Sequence, residues 1–154
     1  MKLTAFTDYA LRVLIYLAAQ PGRRATIGEV AAAHAISEHH LVKVVHFLGR
    51  QGWLANVRGK GGGLGLALPA VQVPLGEVVR QTEGGAVVAD CCGTGGGNCR
   101  IAPSCRLRGV LADAVAAFHA VLDRYTLADL VRNREELASI LFVRQRPPAE
   151  RGGA

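Results

Sequence analysis

Apolar positions recur at helical spacing along most of the chain, and their phase changes divide it into elements. Leu11, Leu14, Ile15 and Ala18 predict a first helix over 6–19, closed by Pro21-Gly22. Thr26-Ile27-Gly28-Glu29 has the spacing of a capping box, a Thr N-cap with Glu three residues on, and predicts a short Ala-rich helix ending near Ala33. Ser37 is placed to cap a third helix over 38–51, in which Leu41, Val44, Val45 and Leu48 form one apolar stripe. The gap between these two helices, His34-Ala35-Ile36, has the length of a helix-turn-helix connection.

The period then shortens. Residues 53–57 and 64–68 read as two strands joined by Arg58-Gly59-Lys60-Gly61-Gly62-Gly63, a hairpin beside the helix pair. Pro69 to Pro74 is a linker, Pro74 starts a helix over 75–83, and Gly84-Gly85 closes it. A longer helix over 104–125 carries the stripe Leu107, Val110, Leu111, Ala114, Phe118, Val121, Leu122 and Tyr125, which can be covered by its own chain or by a second copy. Thr126 and Asn133 are placed to cap two short C-terminal helices, the last ending near Phe142. Residues 143–154, with Pro147-Pro148 and Gly152-Gly153, are expected to be a disordered tail. The expected fold is mainly α. A winged helix-turn-helix unit spans 1–68 (helix-turn-helix 28–51, wing 53–68), and a second part spans 69–142.

Composition sharpens this picture. Hydrophobic residues make up 50% of the 154 but aromatic ones only 5%, so the core is aliphatic. The net charge of +6 favours a polyanionic partner, nucleic acid or membrane. No apolar run is long enough to span a bilayer, and Asp8 and Arg12 interrupt the N-terminal run, so neither a membrane helix nor a secretion signal is expected. With a helix-turn-helix and a wing beside it, double-stranded DNA is the expected partner. On the third helix, His39, His40, Lys43, His46 and Arg50 lie away from the apolar stripe, with Glu38 the sole acid. Ser37, His39, His40 and Lys43 are candidates for base or nearby phosphate contact. Arg58 and Lys60 are candidates for phosphate, with the glycine-rich tip around Gly61 allowing close backbone approach. Neither phosphate-loop glycine pattern is present. No Ser-His-Asp or paired-carboxylate arrangement stands out, and the chain is read as non-enzymatic.

All four cysteines fall within residues 91–105, and from Cys92 the spacing is C-x6-C-x5-C. Clustered thiols without export signals fit a reducing cytoplasm better than a disulfide framework. Structural zinc sites pair ligands two to four residues apart, and no such pair occurs. An iron–sulfur cluster is bulkier and selects thiolates, so it is the favoured reading, with zinc second. Three well-spaced thiols leave a four-ligand set one short; Cys91 adjoins Cys92.

Together, Leu3–Arg12 (LTAFTDYALR), Ile36–His46 (ISEHHLVKVVH), Arg58–Gly63 (RGKGGG) and three cysteines before a long helix resemble the Rrf-type winged-helix regulators, most of all their nitric-oxide-sensing repressors. The likeness runs to about residue 142. It implies a homodimer with crossing long helices, an iron–sulfur cluster ([2Fe-2S] or [4Fe-4S]) near the interface, and cluster-dependent binding to an inverted repeat. It also implies Cys92, Cys99 and Cys105 as cluster ligands and Asp8, given by the partner subunit, as the fourth, with Cys91 the alternative. A sister branch that senses cluster assembly has a histidine three residues past the last cysteine; here that position is Arg108. Sensing of iron–sulfur or redox status, and a zinc or thiol switch, remain as alternatives.

Overall fold

Thr4 begins the first helix, α1 (Ala5–Ala19), by accepting the Thr7 N–H on its hydroxyl at 3.2 Å, one of the donors a helix start leaves unpaired. The structure is a computed structural model, which describes residues 2–57, 59, 61–84 and 99–142. Helix α1 buries Ala10, Val13, Leu14, Tyr16, Leu17 and Ala18, and it packs against both the helix-turn-helix and the C-terminal helices. It is the central element of the fold.

The capping box forms as the spacing predicts. The Thr26 hydroxyl accepts the Glu29 N–H at 3.1 Å, and the Glu29 carboxylate accepts the Thr26 N–H at 2.7 Å. The Thr26 N–H is the main reason the Glu29 carboxyl stays below the usual range, with Arg23 adding to it against the cost of burial. Helix α2 (Ile27–His34) ends at Ala35, which takes the left-handed conformation at φ 52°. Ser37 caps α3 (Glu38–Arg50) through the His40 N–H at 3.4 Å. Leu41, Val44, Val45 and Leu48 of α3 are buried, the stripe read from the sequence.

Strands β1 (Leu54–Val57) and β2 (Gly63–Leu66) pair antiparallel from Leu54 opposite Leu66 to Val57 opposite Gly63. Both are shorter than the expected 53–57 and 64–68. Trp53 instead belongs to the helix-to-strand turn, and its carbonyl accepts the Ala67 N–H at 3.0 Å. A third rung is invisible to pattern reading: Ala25 bridges to Leu64 through bonds of 3.0 and 2.7 Å, fastening the wing to the segment before α2. Gly62 has no alternative at the turn, because an added Cβ would overlap the Val57 carbonyl oxygen.

Beyond the wing, residues 70–72 form a 3-10 turn and α4 (Leu75–Glu83) ends at Gly84 in the left-handed region. A second 3-10 turn at Ala102–Ser104 precedes α5 (Arg106–Leu122), so the long helix is shorter at both ends than 104–125. Helix α4 meets α5 at Gly76, where a Cβ would overlap the Asp123 carboxylate, and Arg80 bonds Asp123 at 2.8 Å. The box at Thr126 and Asp129 opens α6 (Leu127–Leu130). Asn133 precedes α7 (Arg134–Leu141) but makes no cap; its amide donates to the Glu136 carboxylate at 3.2 Å instead. The tail expected from 143 lies outside the described residues.

Candidate nucleic-acid interface and cysteine site

The buried stripe of α3 turns the opposite face outward. His39, His40, Lys43, His46 and Arg50 are all exposed. Ser37 uses its hydroxyl as the α3 cap, so any contact it makes to DNA shares that oxygen with the His40 N–H. The His40 ring stacks on Tyr9 of α1 with centroids 6.1 Å apart. Val42, 52% exposed, is an apolar residue on this surface that the polar pattern conceals. It lines a groove with Ile27, His46, Arg50, Leu54 and Asn56, between α3 and the base of the wing. Gly61 is exposed at the wing tip, while Arg58 and Lys60 lie outside the described residues.

Cys99 is exposed, and Cys105 is half-buried at the N-cap of α5. Both thiols are free, and Cys105 makes no side-chain cap bond. Cys91 and Cys92 lie outside the described residues. Asp8, in the first turn of α1, pairs with Arg12 one turn on at 3.0 Å, and both side chains are half-exposed. Among the described residues, no three of His, Cys, Asp and Glu converge, so a single chain does not bring Asp8 to Cys99 and Cys105. The donors that are described suit a soft metal group: two unbridged thiols, one at the N-cap of α5 and one in the segment before it.

Two polar features escaped the sequence reading. At the junction of α1 and α4, the Glu83 carboxylate accepts the Thr4 N–H at 2.9 Å, the Thr4 hydroxyl at 3.1 Å and the Thr7 hydroxyl. Burial works against ionisation of Glu83, but these donors outweigh it and hold its carboxyl below the usual range. At the end of α2, His34 is half-buried edge-on to Tyr16, and among the described residues its Nε2 has no hydrogen-bond partner. Burial, with the Arg12 charge adding to it, holds this imidazole below its ordinary range. Neither residue sits in a motif; each acquires its role from a neighbour distant in sequence.

The stripe of α5 is only partly covered, with Leu111, Phe118 and Leu122 half-buried and Leu107, Val110 and Val121 exposed. No residue of this helix is fully buried, and Leu107 and Val110 are 58% and 61% exposed. No helix among the described residues is long and apolar enough to cross a membrane. A helix with a partly exposed apolar stripe beside a winged helix-turn-helix narrows the choice of family, and comparison with known proteins decides it. Residues 3–133 match the Rrf2 family of iron-dependent transcriptional regulators. The chain belongs to the Rrf2 family. It is 44% identical over 146 residues to the HTH-type transcriptional regulator NsrR of Bacillus subtilis, covering 94% of this chain and 100% of that one. It is 45% identical to NsrR of Geobacillus kaustophilus, with 94% and 99% covered. The fold matches Staphylococcus aureus CymR in its oxidized form with a TM-score of 0.68 at 25% identity, covering 86% of this chain and 97% of that one. It also matches T. potens IscR with a TM-score of 0.71 at 24% identity, covering 89% and 90%. This Rrf2 chain is a DNA-binding transcriptional regulator, and the helix-turn-helix and wing are the elements suited to DNA.

Proposed function

We propose that this Rrf2 regulator is a homodimeric repressor whose grip on an inverted-repeat operator depends on an iron–sulfur cluster and is released by nitric oxide. Two free thiols carry this reading: Cys105 at the N-cap of a helix whose apolar stripe is partly exposed, and Cys99 in the segment leading to it. Cys92, Cys99 and Cys105 would hold the group, with Asp8 of the partner subunit as fourth ligand. When bound, such a group supplies an iron whose one hard, non-thiolate ligand is open to displacement by nitric oxide.

The chain's own residues supply the coupling. Asp8 has two partners to choose between, the metal site and Arg12, 3.0 Å away. Phe6 packs edge-on against Phe47 of α3 at 5.3 Å, and Tyr9 stacks on His40. Asp8 lies between these two contacts in sequence, so a shift of the first turn of α1 reaches the recognition helix directly. In a dimer, moving each recognition helix changes the spacing of two half-site readers. Reversing a two-state population from 99:1 to 1:99 needs about 5.5 kcal/mol of differential binding, the scale of lost metal–ligand bonds rather than of one surface charge.

At the DNA, Lys43, His39 and His40 face base edges or nearby phosphates and Ser37 contributes at the start of α3, while Arg58, Lys60 and the Gly61 backbone meet the sugar-phosphate edge. Free thiols of this kind persist in a reducing cytoplasm. Metal and sulfide analysis of protein purified without air, with its visible spectrum, tests the reading. Iron with sulfide absorbance, lost in Cys99→Ser, is the expected result; zinc, or no metal, overturns it in favour of a zinc or thiol switch.

A further inference from the structure

Glu83 is the last residue of α4, where the helix dipole disfavours a carboxylate. Its charge is instead directed at the start of α1, where the dipole favours it and unpaired N–H groups wait. It accepts the Thr4 N–H, the Thr4 hydroxyl and the Thr7 hydroxyl. Thr7 is fully buried, and its single hydroxyl proton, given to Glu83, has the Thr82 hydroxyl oxygen 3.0 Å away as the alternative acceptor, while Thr82 donates back to the Val78 carbonyl at 2.8 Å. The last turn of α4 is thereby tied to the first turn of α1 by contacts between residues about 75 apart in sequence. Thr7 directly precedes Asp8 in the first turn of α1, and Glu83 closes α4 ahead of Gly84.

We infer that Glu83 is a positioning residue for the cluster: by holding Thr4 and Thr7 it fixes the first turn of α1, the turn that presents Asp8 as a ligand to the partner subunit. This inference rests on the assignment of Asp8 as a cluster ligand.

The test compares wild type, Asp8→Ala, Glu83→Ala, Glu83→Gln and the Asp8→Ala/Glu83→Ala double variant, all purified without air. It reads the visible absorption and circular dichroism of the loaded protein and the rate of iron loss to EDTA. Glu83→Ala should shift the spectrum in the same sense as Asp8→Ala and speed iron loss about tenfold, as loss of an outer-shell partner does. The double variant should add nothing further. Glu83→Gln, which keeps an acceptor oxygen, should restore much of the wild-type behaviour. In cluster-free protein, Glu83→Ala should raise amide exchange at Thr7 and Asp8 while leaving α3 protected. If Asp8→Ala alters the spectrum and Glu83→Ala does not, Glu83 is structural only and the inference fails while the ligand assignment stands. Additive effects in the double variant overturn it as well. A wild-type spectrum in Asp8→Ala removes the ligand assignment, and this inference with it.

Discussion

In the homodimer proposed above, with the exposed stripe of α5 as its seam, replacing Leu107 and Val110 together by Ala should give monomer at concentrations where wild type stays paired. These side chains are 58% and 61% exposed in the single chain. Burying such a side chain fully contributes about 1.5–3 kcal/mol, so covering the exposed part contributes about 1–1.5 kcal/mol for each. A two-fold axis presents the same patch twice. The four copies then contribute about 4–6 kcal/mol, and truncation to Ala forfeits about 4 kcal/mol of it, close to a thousandfold in the dimer dissociation constant. No residue of α5 is fully buried, so the monomer fold should lose little, and far-ultraviolet circular dichroism should be unchanged. Sedimentation velocity over a concentration series reads the dissociation constant. A double variant that dimerises as tightly as wild type would show that another surface pairs the subunits.

Three further outcomes follow from the geometry. Lys60→Ala should lower the slope of log affinity against log salt by about one unit, equally for operator and random DNA; an unchanged slope removes Lys60 from the phosphate contacts. Gly62→Ala forces the wing turn open, since a Cβ has no room against Val57. Strain of about 1–3 kcal/mol at that turn should weaken DNA binding by about tenfold or more, with dimerisation unaffected; wild-type affinity in a titration would show that the wing does not touch DNA. His34 is held below its ordinary value of 6.5, chiefly by burial, so on acidification the unfolded chain takes up this proton first. The stability it contributes is present above pH 6.5 and is lost as pH falls from there toward the folded value. The melting temperature of the cluster-free protein should drop over that window, and less so in His34→Gln; parallel curves would refute the assignment.

Local signals were the legible ones. Thr26 with Glu29, Ser37, and Gly84 after α4 marked helix ends correctly because a cap is made by residues within one turn of each other. The stripe of α3 was readable for the same reason, and its exposed cationic face followed by subtraction. What escaped depends on chain segments meeting from afar: the Ala25–Leu64 rung, the Thr7–Glu83 tie, and the burial of His34 against Tyr16. Asn133 shows the opposite error, a residue with the right identity whose amide found Glu136 instead of the backbone. Of the cysteine site, the residue types and spacing were readable. Among the described residues, Cys105 stands at the N-cap of α5, Cys99 lies in the segment before it, and Asp8 pairs with Arg12.

The central claim is that the cluster sets the shape that grips DNA. Operator affinity, measured without air by fluorescence anisotropy on one preparation before and after cluster removal, tests it most directly. Tight, operator-specific binding by the loaded dimer, with loss of that specificity on removal or on nitric oxide titration, is the predicted result. Equal affinity with and without the cluster would contradict the account.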